Sequence, residues 1–287
     1  MRNSIDPRGG GSGVLRGARD DIATNWLGYQ LNRVVTPFAE FGAERIFYNT
    51  ATPYRLNDAV WELGVLLTPN PDSRLSVGYG HHQGADSVEI QGFYALSART
   101  RLTASYSTGL ATDVQQIQAR LGLAEFDPLG GAVNAETGAP LFLGNGLLGT
   151  QNGLFRNRAL ALTASTLLDR DAVLLTVQHQ QQTPIGNAPA AGSGGGVGQS
   201  ATTFGATWTH EVSARTSLGA SASYTLTHYQ TAAPGNERFV TATAGVSYRL
   251  SETLSTVARY SFLDRASDFA GRGFTENVVL LGVSKRF

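Results

Sequence analysis

Cysteine is absent from the 287 residues, methionine occurs once, and charged residues make up only 15% of the chain, against roughly 25% in ordinary soluble domains. The missing thiols exclude disulfides, thiol nucleophiles and cysteine-ligated zinc together. Net charge is zero and no basic cluster tracks a phosphate backbone, so no nucleic-acid partner is expected. No run of about 18 apolar residues exists, which excludes a membrane-spanning helix. The opening MRNSIDPRGGGSGVL starts positively but lacks the apolar core of about 7–15 residues that a signal peptide needs. The rest of the sequence favours a chain truncated at its N-terminus over a cytoplasmic one.

What is present is alternation. In TSLGASASYTLTHY, Leu218, Ala220, Ala222, Tyr224 and Leu226 fall on one face, and Ser217, Gly219, Ser221, Ser223, Thr225 and Thr227 on the other. RFVTATAGVSYRL repeats the pattern, with Val240, Ala242 and Ala244 opposing Thr241, Thr243 and Gly245. A period of two means strands with one apolar and one polar face. The phrases LSARTRLTASYS, VSARTSLGASASYT and LSETLSTVARYS each join a tight turn to the next such strand. The pattern predicts strands at 22–34, 38–48, 59–68, 73–82, 86–97, 100–110, 157–168, 171–183, 201–212, 215–229, 238–250, 253–264 and 275–287. Short connections, the first near Thr36–Pro37, alternate with longer ones near 49–58, 83–86, 111–156, 184–200, 231–237 and 265–274.

A soluble sandwich and a transmembrane barrel both accept this pattern, one with the apolar face inward and the other with it toward lipid. Four features favour the membrane. The strands are longer than the usual 5–6 residues of soluble sheets. Connection lengths alternate as in outer-membrane barrels. The polar faces are rich in Gly, Ser and Thr and poor in Lys. Aromatics lie near strand ends on the apolar face (Trp61, Tyr94, Tyr106, Trp208, Tyr224, Tyr248 and Tyr260), where interfacial girdles belong. The expected fold is therefore all-β, an antiparallel transmembrane β-barrel of the bacterial outer-membrane type. Thirteen strands are visible, residues 1–20 form a Gly-rich flexible lead, and 21–287 form the barrel. Barrels of this type normally have an even strand number, so an odd count implies 14 or more strands in the full protein. The chain ends on Phe287, with Val283, Leu281 and Val279 on the same face. This resembles the C-terminal signal of outer-membrane proteins, which implies the barrel-assembly machinery as a partner. Lys285 departs from that signal, but near a rim it can snorkel to the headgroups.

No residues stand out as catalytic, cofactor-binding or metal-binding. His81 and His82 are adjacent, point to opposite faces of a strand end and have no carboxylate cluster in the sequence around them, so they read as rim residues. His179, His210 and His228 lie near strand ends. A lipid hydrolase would need an ordered Ser–His pair, and no spacing singles one out. GSGGGVG lacks the Lys-Ser/Thr of a phosphate loop. The polar faces carry charges of both signs: Glu40, Glu44, Glu62, Glu89, Arg101, Glu211, Arg249, Arg259, Glu276 and Arg286. These are candidate pore-lining residues, or cross-strand pairs that stiffen the wall. The longest connection, 111–156, contains DVQQIQARLGLA, which suits a short helix, and GAPLFLGNGLLG, which is apolar for an exposed loop. It is expected outside the cell, restricting the pore or packing on a partner.

One stretch is more specific. YNTATPYRLNDAVWELGVLLTPNPDSRLSVGYGHHQG carries Asn57, Asp58, Trp61 and Gly64, then Thr68, Pro69, Pro71 and Ser73, then Gly78, Gly80 and His81. This resembles the outer-membrane β-barrels associated with PEP-CTERM and exopolysaccharide systems of Gram-negative bacteria. ALSARTRLTASYSTGLATD and GLFRNRALALTASTLLDRD resemble the hairpins that follow, so the similarity spans roughly residues 20–185. The resemblance implies an outer-membrane location and a porin-like role in surface-polysaccharide transport, with polysaccharide or periplasmic export components as partners besides the lipid itself. It implies no reaction. A scaffolding barrel with a plugged lumen is the alternative, and an outer-membrane lipid hydrolase the third.

Overall fold

The computed structural model describes residues 17–49, 53–126, 132–134, 153–185, 198–230 and 235–285. Six strands come first: β1 (Arg19–Gly28), β2 (Val35–Tyr48), β3 (Tyr54–Asn70), β4 (Ser73–His82), β5 (Ala85–Ala95) and β6 (Thr100–Thr112). A helix, α1 (Asp113–Gly122), and two short strands, β7 (Ala124–Phe126) and β8 (Ala132–Asn134), follow. The remaining strands are β9 (Leu154–Leu167), β10 (Asp171–Pro184), β11 (Gly198–Ser213), β12 (Thr216–Gln230), β13 (Gly235–Arg249), β14 (Leu254–Ser267) and β15 (Phe274–Lys285). β7 and β8 pair only with each other. The other thirteen form one antiparallel sheet in chain order, β6 meeting β9 directly. The chain is an antiparallel β-barrel of the outer-membrane type. β1 and β15 are the two edges of the sheet. They run in the same direction, so they cannot pair antiparallel with each other.

Register separates two faces along the whole wall. Ala206, Ala222, Ala242 and Phe262 form one row across β11–β14, and Thr207, Ser221, Thr243 and Ser261 the adjacent one. The outer rows expose Trp61, Leu63, Tyr79, Tyr94, Trp208, Tyr224, Tyr248 and Tyr260. On β15 the outer residues Val279, Leu281 and Val283 are 72–78% exposed. The inner rows carry hydroxyls that bond across strands: Thr203 to Thr225 at 2.9 Å, Ser223 to Thr241 at 2.6 Å and Thr243 to Ser261 at 3.2 Å. This is the inverse of a soluble sheet. Apolar side chains face out, and polar groups satisfy one another within.

Several boundaries differ from the sequence reading. β1 starts at Arg19, inside the segment expected to precede the barrel. The first connection is 29–34, not Thr36–Pro37. Asn32 Oδ1 accepts from Val34 and Val35 N–H and closes the turn there. Pro37 lies inside β2, where only its carbonyl is called on, accepting from Tyr29 N–H at 3.0 Å. The connection expected near 83–86 is a two-residue turn, Gln83–Gly84, with φ of 54° and 69°. Two positive φ values match the strand twist and make the tightest hairpin, so connection lengths do not alternate strictly. The two longest connections, β6 to β9 and β10 to β11, lie at one end, called the long-connection end below, and the opposite end is called the short-turn end.

Buried apolar residues gather at the long-connection end. Ala18, Ile46, Tyr48, Leu110 and Leu154 form the cluster, with Tyr54, Leu56 and Ile185 against it. Ile46, Tyr48, Tyr54 and Leu56 are on the inner face of β2–β3, whereas Leu110 and Leu154 are on the outer face of β6 and β9. The β6–β9 tips therefore tuck behind the β2–β3 tip. β5 and β6 part above the Ile90–Tyr106 pair, while β6 and β9 stay paired to Thr112–Leu154.

Candidate pore wall

The inner face is divided by charge. On β1–β5 the register places Asp20, Glu40, Glu44, Asp58, Glu62 and Glu89 inward. From β9 to β12 the inner rows are Ala, Thr, Ser, Gly and Gln through the middle of the wall, with Glu211 at the short-turn rim. Arg249, Arg259, Arg265, Glu237 and Glu276 occupy the inner rows of β13–β15.

Of the residues singled out from the sequence, Glu40, Glu62 and Glu89 come together. Glu40 and Glu62 are register partners, and both Glu40 and Glu89 act on the Glu62 carboxylate. Gly78 makes the room: a Cβ there would lie 1.7 Å from Glu62 Oε1. Arg101 stands apart at the short-turn end, its guanidinium 3.8 Å from the centre of the Phe93 ring. Glu211, Arg249, Arg259 and Glu276 are inward but scattered. Arg286 and Phe287 lie outside the described residues.

The histidines are rim residues, but carboxylates do surround two of them, contrary to the sequence reading. His81 contacts Asp86 at 2.5 Å and Asp58 at 3.1 Å, and His82 Nε2 lies 3.4 Å from the fully buried carboxylate of Glu44. Strand pairing brings these together from three hairpins, which linear spacing cannot show. Among the described residues no group of three or more such side chains is arranged to hold a metal ion. His179, His210 and His228 are held by Thr202, Asp171 and Asn236. None of these bonds joins a serine to a histidine.

The first part of the 111–156 connection turns inward. Thr112 and Gln115 cap α1 reciprocally, Gln115 N–H donating to Thr112 Oγ1 and Thr112 N–H to Gln115 Oε1, a side-chain box of the usual kind. Gln116 then pins the helix to the inner wall. Its amide donates to Asn157 at 3.1 Å, and its oxygen accepts from Gln180 at 2.7 Å and Gln182 at 3.0 Å. Gln182 accepts in turn from Gln199. Gln83 binds the Leu110 N–H, and Arg156 donates to the carbonyls of Gln83 and Gly84. The sequence reading missed this network, although the run QHQQQ at 178–182 was its visible sign. The apolar stretch GAPLFLGNGLLG lies outside the described residues.

A second inward knot sits on β12–β14. Glu237 takes Arg265 at 2.6 Å, Ser267 at 3.0 Å and the Tyr229 hydroxyl at 3.0 Å.

Half of this wall also carries a family signature. Residues 158–287 match the family described as "Putative beta-barrel porin 2". The C-terminal strands are porin-like. Together with the apolar exterior, this match places the chain in the bacterial outer membrane. Comparison with curated proteins gives no match. Among solved structures, the chain is similar to in-vitro folded OmpT, an outer membrane protein of Vibrio cholerae. That pair shares 12% identity over 96% of this chain and 90% of that one, with a TM-score of 0.44. An anion-selective porin from Comamonas acidovorans shares 10% identity over 94% and 90%, with a TM-score of 0.40.

Proposed function

We propose that this porin-like barrel is a water-filled pore of the outer membrane that serves the export of a surface exopolysaccharide. The observation that carries the pore reading is the inner face itself. A plugged structural barrel has no need of a continuous strip of Thr, Ser and Gly from β9 to β13, whereas a hydrated solute does. The charged inner residues Glu40, Glu62, Glu89, Arg101, Glu211, Arg249, Arg259 and Glu276 then line the path and set its ion preference. The polysaccharide link rests on the resemblance carried by Asn57, Asp58, Trp61, Gly64 and the turn and strand that follow, and hydroxyl-lined walls suit a polyol. In this reading the long connections face the outside, and Val279, Leu281 and Val283 form part of the segment read by the assembly machinery.

One observation favours a second reading. α1 is tied to the inner wall by Gln116, so the barrel is a candidate scaffold closed by its own helix. Single-channel recording in a planar bilayer decides between them. Discrete conductance steps that grow when residues 113–126 are removed support the pore. A silent barrel, with and without that segment, overturns it.

A further inference from the structure

Among the inward arginines, Arg101 lacks the carboxylate partner that Arg265 has. Arg265 is held by Glu237, and Arg99, in the adjacent turn, pairs with Asp169 at 2.8 Å. Arg101 forms no ion pair among the described residues, and its guanidinium carbon sits over the Phe93 ring, 3.8 Å from its centre. A stacked guanidinium keeps its edge N–H groups free in a fixed plane, the geometry that matches a carboxylate with two parallel hydrogen bonds. It borders a cavity of about 1110 Å³ at the short-turn end, with Phe93, Thr103, Thr163, Ser165 and Asn70 around it. That volume slightly exceeds the usual range of small-molecule sites, roughly 300–1,000 Å³. The other charges nearby are Asp72 and the Asp169-paired Arg99, both on the cavity wall, and Arg74, opposite Phe93 in register.

We propose that this cavity is a binding site for a small sugar acid, with Arg101 taking the carboxylate and Thr103, Thr163 and Ser165 meeting the hydroxyls. The proposal rests on the pore reading for its role but not for its chemistry. Phe93 fixes the guanidinium so that little side-chain freedom is lost on binding. The threonines and serine present hydroxyls that both donate and accept, which suits a polyol better than an inorganic anion. Glu89, four residues along β5 from Phe93 and so about 13 Å away, sets the acidic row beyond the site. A carboxylate is therefore held at this end and repelled further in, while a neutral sugar finds neither effect.

The test uses glucuronate and glucose as probes on the folded chain in detergent, by calorimetry, and on single channels in a bilayer. Glucuronate should bind and reduce the open-channel current when added at the short-turn side, with glucose inert. Arg101→Gln should weaken glucuronate binding at least tenfold. Arg101→Lys should restore little, because a point charge cannot reproduce the planar fork. Phe93→Leu should weaken binding while leaving the charge in place. Equal binding of glucose, or glucuronate binding unchanged in Arg101→Gln, overturns the site. Calorimetric binding without any channel conductance would leave the site standing and remove the pore reading instead.

Discussion

Replacing Ala222 with Arg, and separately its neighbour Ser221 with Arg, tests the assignment of faces on which all else depends. Ala222 lies in the outer row between Ala206 and Ala242, and Ser221 in the inner row between Thr207 and Thr243. From Ala222 the strand runs six residues to Thr216 and eight to Gln230, about 20 and 27 Å at the antiparallel rise. An arginine there sits near the middle of an apolar band about 25 Å tall, too far from either rim to reach headgroups. Its outer-face neighbours are Ala220, Tyr224, Ala206 and Ala242, so no carboxylate is at hand. The expected cost is about 2–4 kcal/mol, or roughly 30- to 700-fold in the folding equilibrium. Ser221→Arg projects among Thr and Ser side chains, with Gly219 beside it on the same strand, and should stay close to the parent. Folded fraction by heat-dependent gel migration, and urea midpoints in lipid vesicles, read the difference. Equal tolerance at the two positions would refute the inside-out wall.

Gln116→Ala removes three hydrogen bonds between α1 and the inner wall. At about 1 kcal/mol each this should loosen the helix and raise open-channel noise, and an unchanged trace would mean that α1 does not border the ion path. Glu62→Gln removes the central charge of the acidic row and should lower cation preference. Measured as reversal potential, the effect should be clear at about 0.1 M salt and faint at about 1 M, where the screening length falls from about 10 to about 3 Å. Glu237→Leu leaves Arg265, only 14% exposed, without its partner. Loss of about 3 kcal/mol is expected, read as a lower urea midpoint, and an unchanged midpoint would show that solvent reaches Arg265.

Alternation alone determined the wall. Leu218 to Thr227 and Val240 to Arg249 fold with the faces that their period of two requires, because a strand places successive side chains on opposite sides whatever it pairs with. Tyr94 and Tyr248 lie near strand ends on the outer face as expected, whereas Trp61, Tyr106, Tyr224 and Tyr260 lie mid-strand, and a short helix does form over DVQQIQARLG. What pairs with what across long connections was not legible. Arg101 is 64 residues from Ser165, its register partner, and Glu44 meets His82 across 38 positions. Hairpin register fixes near neighbours. The overlap of β6–β9 behind β2–β3, and the partners of Gln116, depend on how the whole sheet curls. So does the contrast between a carboxylate-bound Arg265 and an unpaired Arg101. In the sequence Arg101 reads as a strand residue and Arg265 falls in the connection expected near 265–274, and neither shows its partner. Only the rows that the folded wall aligns decide which of them has its counter-charge within reach, because at these distances electrostatic pairing is a property of position in space and not of order along the chain.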